Sequence, residues 1–335
     1  MKTLKEYINE SLLDDFDTMS ASSTKDIKNE IKQFLKDNYK NASKFKVSRK
    51  FNDDGYYEVD CSKCANVEVI NKNITSLTNN TFIFVNIKGT FDCSRCNNLT
   101  SLEGLPTEVG EDFNCSYCNN LTSLKGAPQK VGWNFYCTYN PKLTSLEGTP
   151  REVGNDFYCF YCNNLTSLEG APQKVGGNFD CFNCNNLTSL EGAPKEVGRN
   201  FDCSYCKNLT SLKGAPQKVG WNFDCSYCNN LTSLEGGPKE VKGEFNCTHN
   251  SKITSLKGAP EEVGKDFYCN DCPNLTSLKG SPKEIKHVFD LTNCINIKSL
   301  EGAPKKVRTW YSLENVQSFD EYDIRKVCSV TKIIT

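Results

Sequence analysis

A motif of 22 residues, F-x-C-x-x-C-x-N-L-T-S-L-x-G-x-P-x-x-V-G-x-x, recurs ten times from Phe91 to about Trp310. Its phenylalanine returns at Phe91, Phe113, Phe135, Phe157, Phe179, Phe201, Phe223, Phe245, Phe267 and Phe289 without insertion or deletion. So strict a period means that every copy builds the same local structure and buries its apolar face against its neighbours. The expectation is a β-rich solenoid of ten 22-residue repeats with parallel strands. Function then belongs on a repeated surface rather than in a single pocket.

Within one copy, Phe113 and Cys115 stand two apart, which puts both on one face of a short strand and sends Asn114 to the other. Cys118 follows where the strand ends. Leu121, Leu124 and Val131 supply further inward contacts on the return path. Gly126 and Pro128 oppose a helix there, so the return is expected to be extended or turn-rich. Each buried Phe, Leu or Val contributes roughly 1.5–3 kcal/mol, but only while a neighbouring turn covers it.

The ends depart from the period. Ile27, Ile31, Phe34 and Leu35 share a helical face, and Phe45–Phe51 and Tyr56–Cys61 read as strands around Asn52-Asp53-Asp54-Gly55. Val59 to Cys64 reads as a degenerate first unit, and Ile74 to Leu77 as a partial echo of the next. The expected organisation is a leader or flexible helix over 1–20, an α+β N-terminal cap over 21–90, the solenoid over 91–310, and a short C-terminal cap over 311–335.

The motif resembles the leucine-rich repeat, L-x-x-L-x-L-x-x-[N/C]-x-L, with Phe113-Asn114-Cys115 in place of L-x-L and Cys118 at the Asn/Cys position. The stretch Asn120-Leu121-Thr122-Ser123-Leu124 with Pro128 is similar to short repeats encoded by bacteria and large tailed phages. The start, with Met1-Lys2-Thr3, Glu6-Tyr7-Ile8 and Glu10, resembles the leader of phage internal head proteins. That resemblance implies cleavage between Glu10 and Ser11, and a virion-packaged structural component as an alternative to a free module.

Twenty cysteines invite three readings. Sixteen form eight C-x-x-C pairs, a spacing that can supply zinc thiolates or, in a secreted chain, disulfides. The third reading is a structural ladder. It is favoured because Asn140 and Asn250 replace the second cysteine and Leu291 the first; a ligand does not become leucine, whereas a core position does. The ladder residues are Cys96, Cys118, Asn140, Cys162, Cys184, Cys206, Cys228, Asn250, Cys272 and Cys294. No cofactor or metal is expected, and a thiol-based metal array is kept as the second alternative.

The formal net charge of -1 supplies no global field for nucleic acid. No apolar run reaches a membrane span, and the start carries no secretory h-region, so the expected location is the cytoplasm of a host cell, or the virion. The column between Phe and Cys, and the one before Phe, contain Asp, Asn, Glu, Thr, Tyr and Val but no Lys or Arg, which argues against nucleic acid. Tyr136, Tyr139, Tyr158, Phe160, Tyr161 and Phe182 gather beside Asp180, Asp202 and Asp224. Exposed aromatic rings flanked by acids suit a protein partner. Equally, stacked rings stabilise a ladder by themselves. The two histidines, His249 and His287, accompany no recognisable catalytic constellation. A non-catalytic interaction module is therefore expected.

Overall fold

The computed structural model describes residues 21–64, 66–311 and 319–334. They fall into two compact units, one reaching Asn140 and including Glu147–Pro150, the other Pro141–Leu146 and Arg151 onward. The boundary lies inside the repeat array rather than at its ends, because a solenoid turn contacts only its neighbours and no stretch of turns has a private core. Both units are built as parallel β-solenoids with 22-residue turns.

In the N-terminal unit the helix Ala21–Asn38 buries Ile31 and Leu35, with Ile27 and Phe34 half-buried at the margin. Lys46–Val47 pairs antiparallel with Tyr57–Asp60, which pairs in parallel with Phe82–Val85. These three strands form a cap sheet of their own. The first rung of the solenoid is Val67–Glu68, paired with Phe91–Asp92. This corrects the placement of a degenerate unit at Val59–Cys64. Val67 lies close to one period before Phe91, whereas Val59 is about ten residues too early; the Cys61/Cys64 motif outweighed the spacing. Phe91, Phe113 and Phe135 then pair in register.

In the C-terminal unit Phe157 through Phe267 continue rung by rung to Phe289 and Trp310. From Phe157 to Phe267 the rings stack with centroids 5.1–5.4 Å apart, and every one is fully buried. A second ladder runs through Val153, Val175, Val197, Val219, Val241 and Val263. The return path is thus extended, and the sides of the turn are a strand side built on Phe and a valine side. Glycine is required at the corner with positive φ and favoured, though replaced by Lys242, Lys286 and Arg308, at the one after the valine. Gly126 has φ +89°, and a Cβ on Gly198 would lie 2.0 Å from the Gly176 carbonyl oxygen.

The C-terminal cap keeps the ladders after the sequence period is lost. Ser329–Ile334 pairs with Lys306–Tyr311, placing Val330 on Val307 and Ile333 on Trp310. The helix Glu321–Val327 leads into it and opens on a capping box, in which Asp320 accepts from the Asp323 amide and Asp323 from the Asp320 amide. This helix and strand carry too few residues for periodicity to announce them.

Candidate functional site

Turn geometry at C-x-x-C decides which side chains face in and which face out. The second cysteine points into the turn, where Cys118 Sγ donates to the Cys93 carbonyl at 3.3 Å. Cys184, Cys206, Cys228, Cys272 and Cys294 repeat that bond at 3.1–3.5 Å. Asn140 does more from the same position. It donates to the Cys115 and Cys137 carbonyls at 3.1 and 3.0 Å and accepts from the Cys118 amide at 2.8 Å. Cys and Asn are interchangeable there because each can satisfy an otherwise unpaired carbonyl in the buried turn.

All twenty cysteines are buried. Burial pushes the Cys118 thiol up to about 12 and Cys96 up to about 11. The Cys118 and Cys96 thiols are thereby held protonated, whereas hydrogen bonds from Cys269 and Cys272 lower Cys294; both metal ligation and exchange chemistry need the thiolate. Among the described residues no group of three or more His, Cys, Asp or Glu is arranged to hold a metal ion. The column is a ladder of buried cysteines.

Immediately before the second cysteine the backbone is left-handed in every turn, from Arg95 at φ 62° through Tyr117, Tyr139, Tyr161, Asn183, Tyr205, Tyr227, His249 and Asp271 to Asn293. This conformation costs an L-residue roughly 1–2 kcal/mol; Asn and Asp tolerate it through local hydrogen bonds, while tyrosine does not. Stacking offsets part of the cost, because a favourable ring pair contributes about 0.5–1.5 kcal/mol. In the N-terminal unit Tyr139 stacks on Tyr117 at 4.4 Å, with the Arg95 guanidinium 5.5 Å from the Tyr117 ring centre. In the C-terminal unit Tyr205, Tyr227 and His249 stack at 4.3 and 4.2 Å.

The other aromatic candidates continue this row. Tyr158, Phe160, Tyr161, Phe182 and Tyr205 make edge-to-face contacts with centroids 5.2–6.1 Å apart, and the Tyr158 hydroxyl donates to Asp156 at 2.9 Å. Tyr136 belongs to the N-terminal unit, on the rung that pairs with Asn114.

The acidic columns are half-buried rather than fully exposed. Asp180, Asp202 and Asp224 lie on successive in-register rungs, and each accepts from the amide two residues on at 2.8 Å. Burial and the neighbouring Asp202 carboxylate hold Asp180 up at about 7; burial also raises Asp202. The column before Phe accepts from the next turn: Asn178 Oδ1 takes the Asn200 amide at 3.1 Å, and Asn200 Oδ1 the Asn222 amide at 3.0 Å. These Asp and Asn residues therefore hold the backbone as well as colouring the surface.

Two large side chains were missed in the sequence. Trp133 and Trp221 are 61% and 60% exposed, and Lys265 lies 5.3 Å from the Trp221 ring centre. Their signal was available: both occupy the position before the Asn of G-x-N-F, where other repeats carry Gly, Glu, Asn, Arg, Lys or His. His249 pairs with Asp271, Nε2 to Oδ2 at 3.4 Å, and Asp271 also accepts from Asn270 and Asn293. The mixed Glu/Lys column after the second leucine forms exposed pairs such as Lys213–Glu191 at 2.7 Å and Lys257–Glu235 at 2.6 Å, which solvent screens. Glu10 and Ser11 lie outside the described residues. No helix among the described residues is long and apolar enough to cross a membrane.

Comparison with protein-family models, with curated proteins and with solved structures yields no match.

Proposed function

We propose that this chain is a non-catalytic interaction module that holds a protein partner against the acidic, aromatic strand side. The observation that carries this reading is the tyrosine column. Bulky rings occupy a left-handed position at Tyr117, Tyr139, Tyr161, Tyr205 and Tyr227, where Asn and Asp serve the backbone better. Their repeated use there is accounted for by what the rings offer outward, since Tyr is favoured at protein contacts and at few other exposed places. The bonding of Asn140 and Cys118 supports a leucine-rich-repeat-like solenoid, while a phage or bacterial origin and action in the host cytoplasm rest on the resemblance of the repeats and the leader. The absence of Lys and Arg from the columns before and after Phe disfavours nucleic acid.

The test compares a cross-linked partner captured by the unmodified chain with that captured by a Tyr161→Asn, Tyr205→Asn, Tyr227→Asn variant, which removes the rings from the left-handed column. The same partner should be lost from the variant, whose circular dichroism is unchanged, and kept by a Lys213→Ala control in the exposed Glu/Lys column. Equal capture by both variants would sink the reading. The alternative, a packaged virion component, rests on Glu10 and Ser11; mass spectrometry of particles finding an N-terminus at Ser11 would replace the free module with it.

A further inference from the structure

The near-zero net charge conceals a separation by side. In the C-terminal unit the columns before Phe, after Phe and at the left-handed position hold twenty-one residues between Asp156 and Asn293. None is buried; eight are Asp or Glu and none is Lys or Arg. The Asp180–Asp202–Asp224 rungs bring like charges side by side with no cation in those columns to offset them.

The valine side of the same unit is net basic, although the position just before the valine holds five Glu and three Lys. Between Arg151 and Thr309, the positions flanking each valine and forming the next corner carry thirteen Lys or Arg against six Glu. All thirteen basic side chains are exposed. Lys218, Lys242 and Lys265 sit there around the exposed Trp221, with Lys265 over its ring.

Both sides repeat once per turn, at the strand spacing of about 4.8 Å. A column of acids on one solenoid therefore stays in step with a column of bases on another over any number of turns. An extended peptide lying along the ladder presents same-side residues about 6.6–6.8 Å apart and falls out of step. Matching period, opposite sign and exposed rings on both surfaces single out one occupant.

We propose that the strand side of one copy docks on the valine side of a second copy, acid columns against basic columns, through the C-terminal unit. The inference rests on the binding reading above and names its partner as this same chain. The contact is head-to-tail: each docked copy leaves one acidic and one basic side free, so assembly is open-ended rather than closing at a dimer. It depends on exposed bases meeting half-buried acids at the surface, so salt dissolves it.

Sedimentation velocity of the full chain tests this directly. At about 20 mM salt the mean mass should rise with concentration to at least twice the 37.6 kDa monomer. Near 1 M salt, where screening acts within about 3 Å, it should return to the monomer. An Asp180→Asn, Asp202→Asn, Asp224→Asn variant keeps the amide oxygens that accept the turn bonds, and should be monomeric alone. So should a Lys218→Glu, Lys242→Glu, Lys265→Glu variant. Mixed together, each supplies the side the other lacks, and they should form a dimer of one copy of each and stop. The proposal is overturned if the unmodified chain stays monomeric at low salt, or if the two variants do not combine. A labelled octa-arginine peptide separates the two ideas. If the monomeric chain binds it and the Asp variant does not, the second copy is the wrong partner and the binding reading stands; binding of neither kind removes both.

Discussion

Cys118 and Tyr117 are neighbours in sequence, yet the two columns they begin obey different rules. In the inner column Cys alternates only with Asn, because whatever sits there must satisfy a buried carbonyl inside a fixed volume. One residue earlier, Arg, Tyr, Asn, His and Asp all occur at the same left-handed φ. The inner position is limited by hydrogen-bond stoichiometry and packing, the outer one by backbone strain alone. Variation in the outer column is therefore where function can be written at the cost of backbone strain but without opening the core.

The largest expected break comes from the inner side. Phe201→Ala removes a ring stacked between Phe179 and Phe223 and should lower stability by about 3–5 kcal/mol in urea unfolding. Cys206→Ala loses the bond to the Cys181 carbonyl and leaves a small void, so about 1–2 kcal/mol is expected. Cys206→Asn, with Asn140 as its precedent, should restore part of that loss; a greater loss than alanine would contradict the proposed equivalence.

Asp180 lies between the two regimes. Its folded pKa of about 7 exceeds the unfolded value of about 3.9. Between those values the native chain holds a proton that the unfolded chain releases, so this group's contribution falls as pH rises from about 4 to 7. Asp180→Asn keeps the acceptor for the Phe182 amide and should raise stability at pH 8 by at least about 1 kcal/mol, with no gain near pH 3.5. Melting curves across that range check the sign. The smallest effect belongs to the outer column: in Tyr205→Asn, relief of strain and loss of stacking oppose each other, and a net change within about 1 kcal/mol is expected. A larger loss would make the ring row structural rather than functional.

The period, the inward Phe, Cys, Leu and Val, and the Cys/Asn column were legible because they repeat ten times, so exceptions such as Leu291 exposed the rule. The aromatic row was legible as a column. The double duty of Asp180 and Asn178 was not, since a side chain that accepts a backbone amide looks in sequence like any exposed acid or amide. Val67 as the first rung, and Ile333 as the last described one, were hidden for the opposite reason: each occurs once, with no second copy to reveal its register.

The sequence by itself determined the architecture, because a 22-residue period without insertion permits only stacking of like on like, and each apolar position then meets its own equivalent. The tertiary structure alone decided which polar residues are partly spent on the backbone, where the ladders begin and end, and that the charges sort by side. Those outcomes depend on which amide or carbonyl of the neighbouring turn lies within hydrogen-bond reach, a relation between residues one full turn apart that local patterning does not encode.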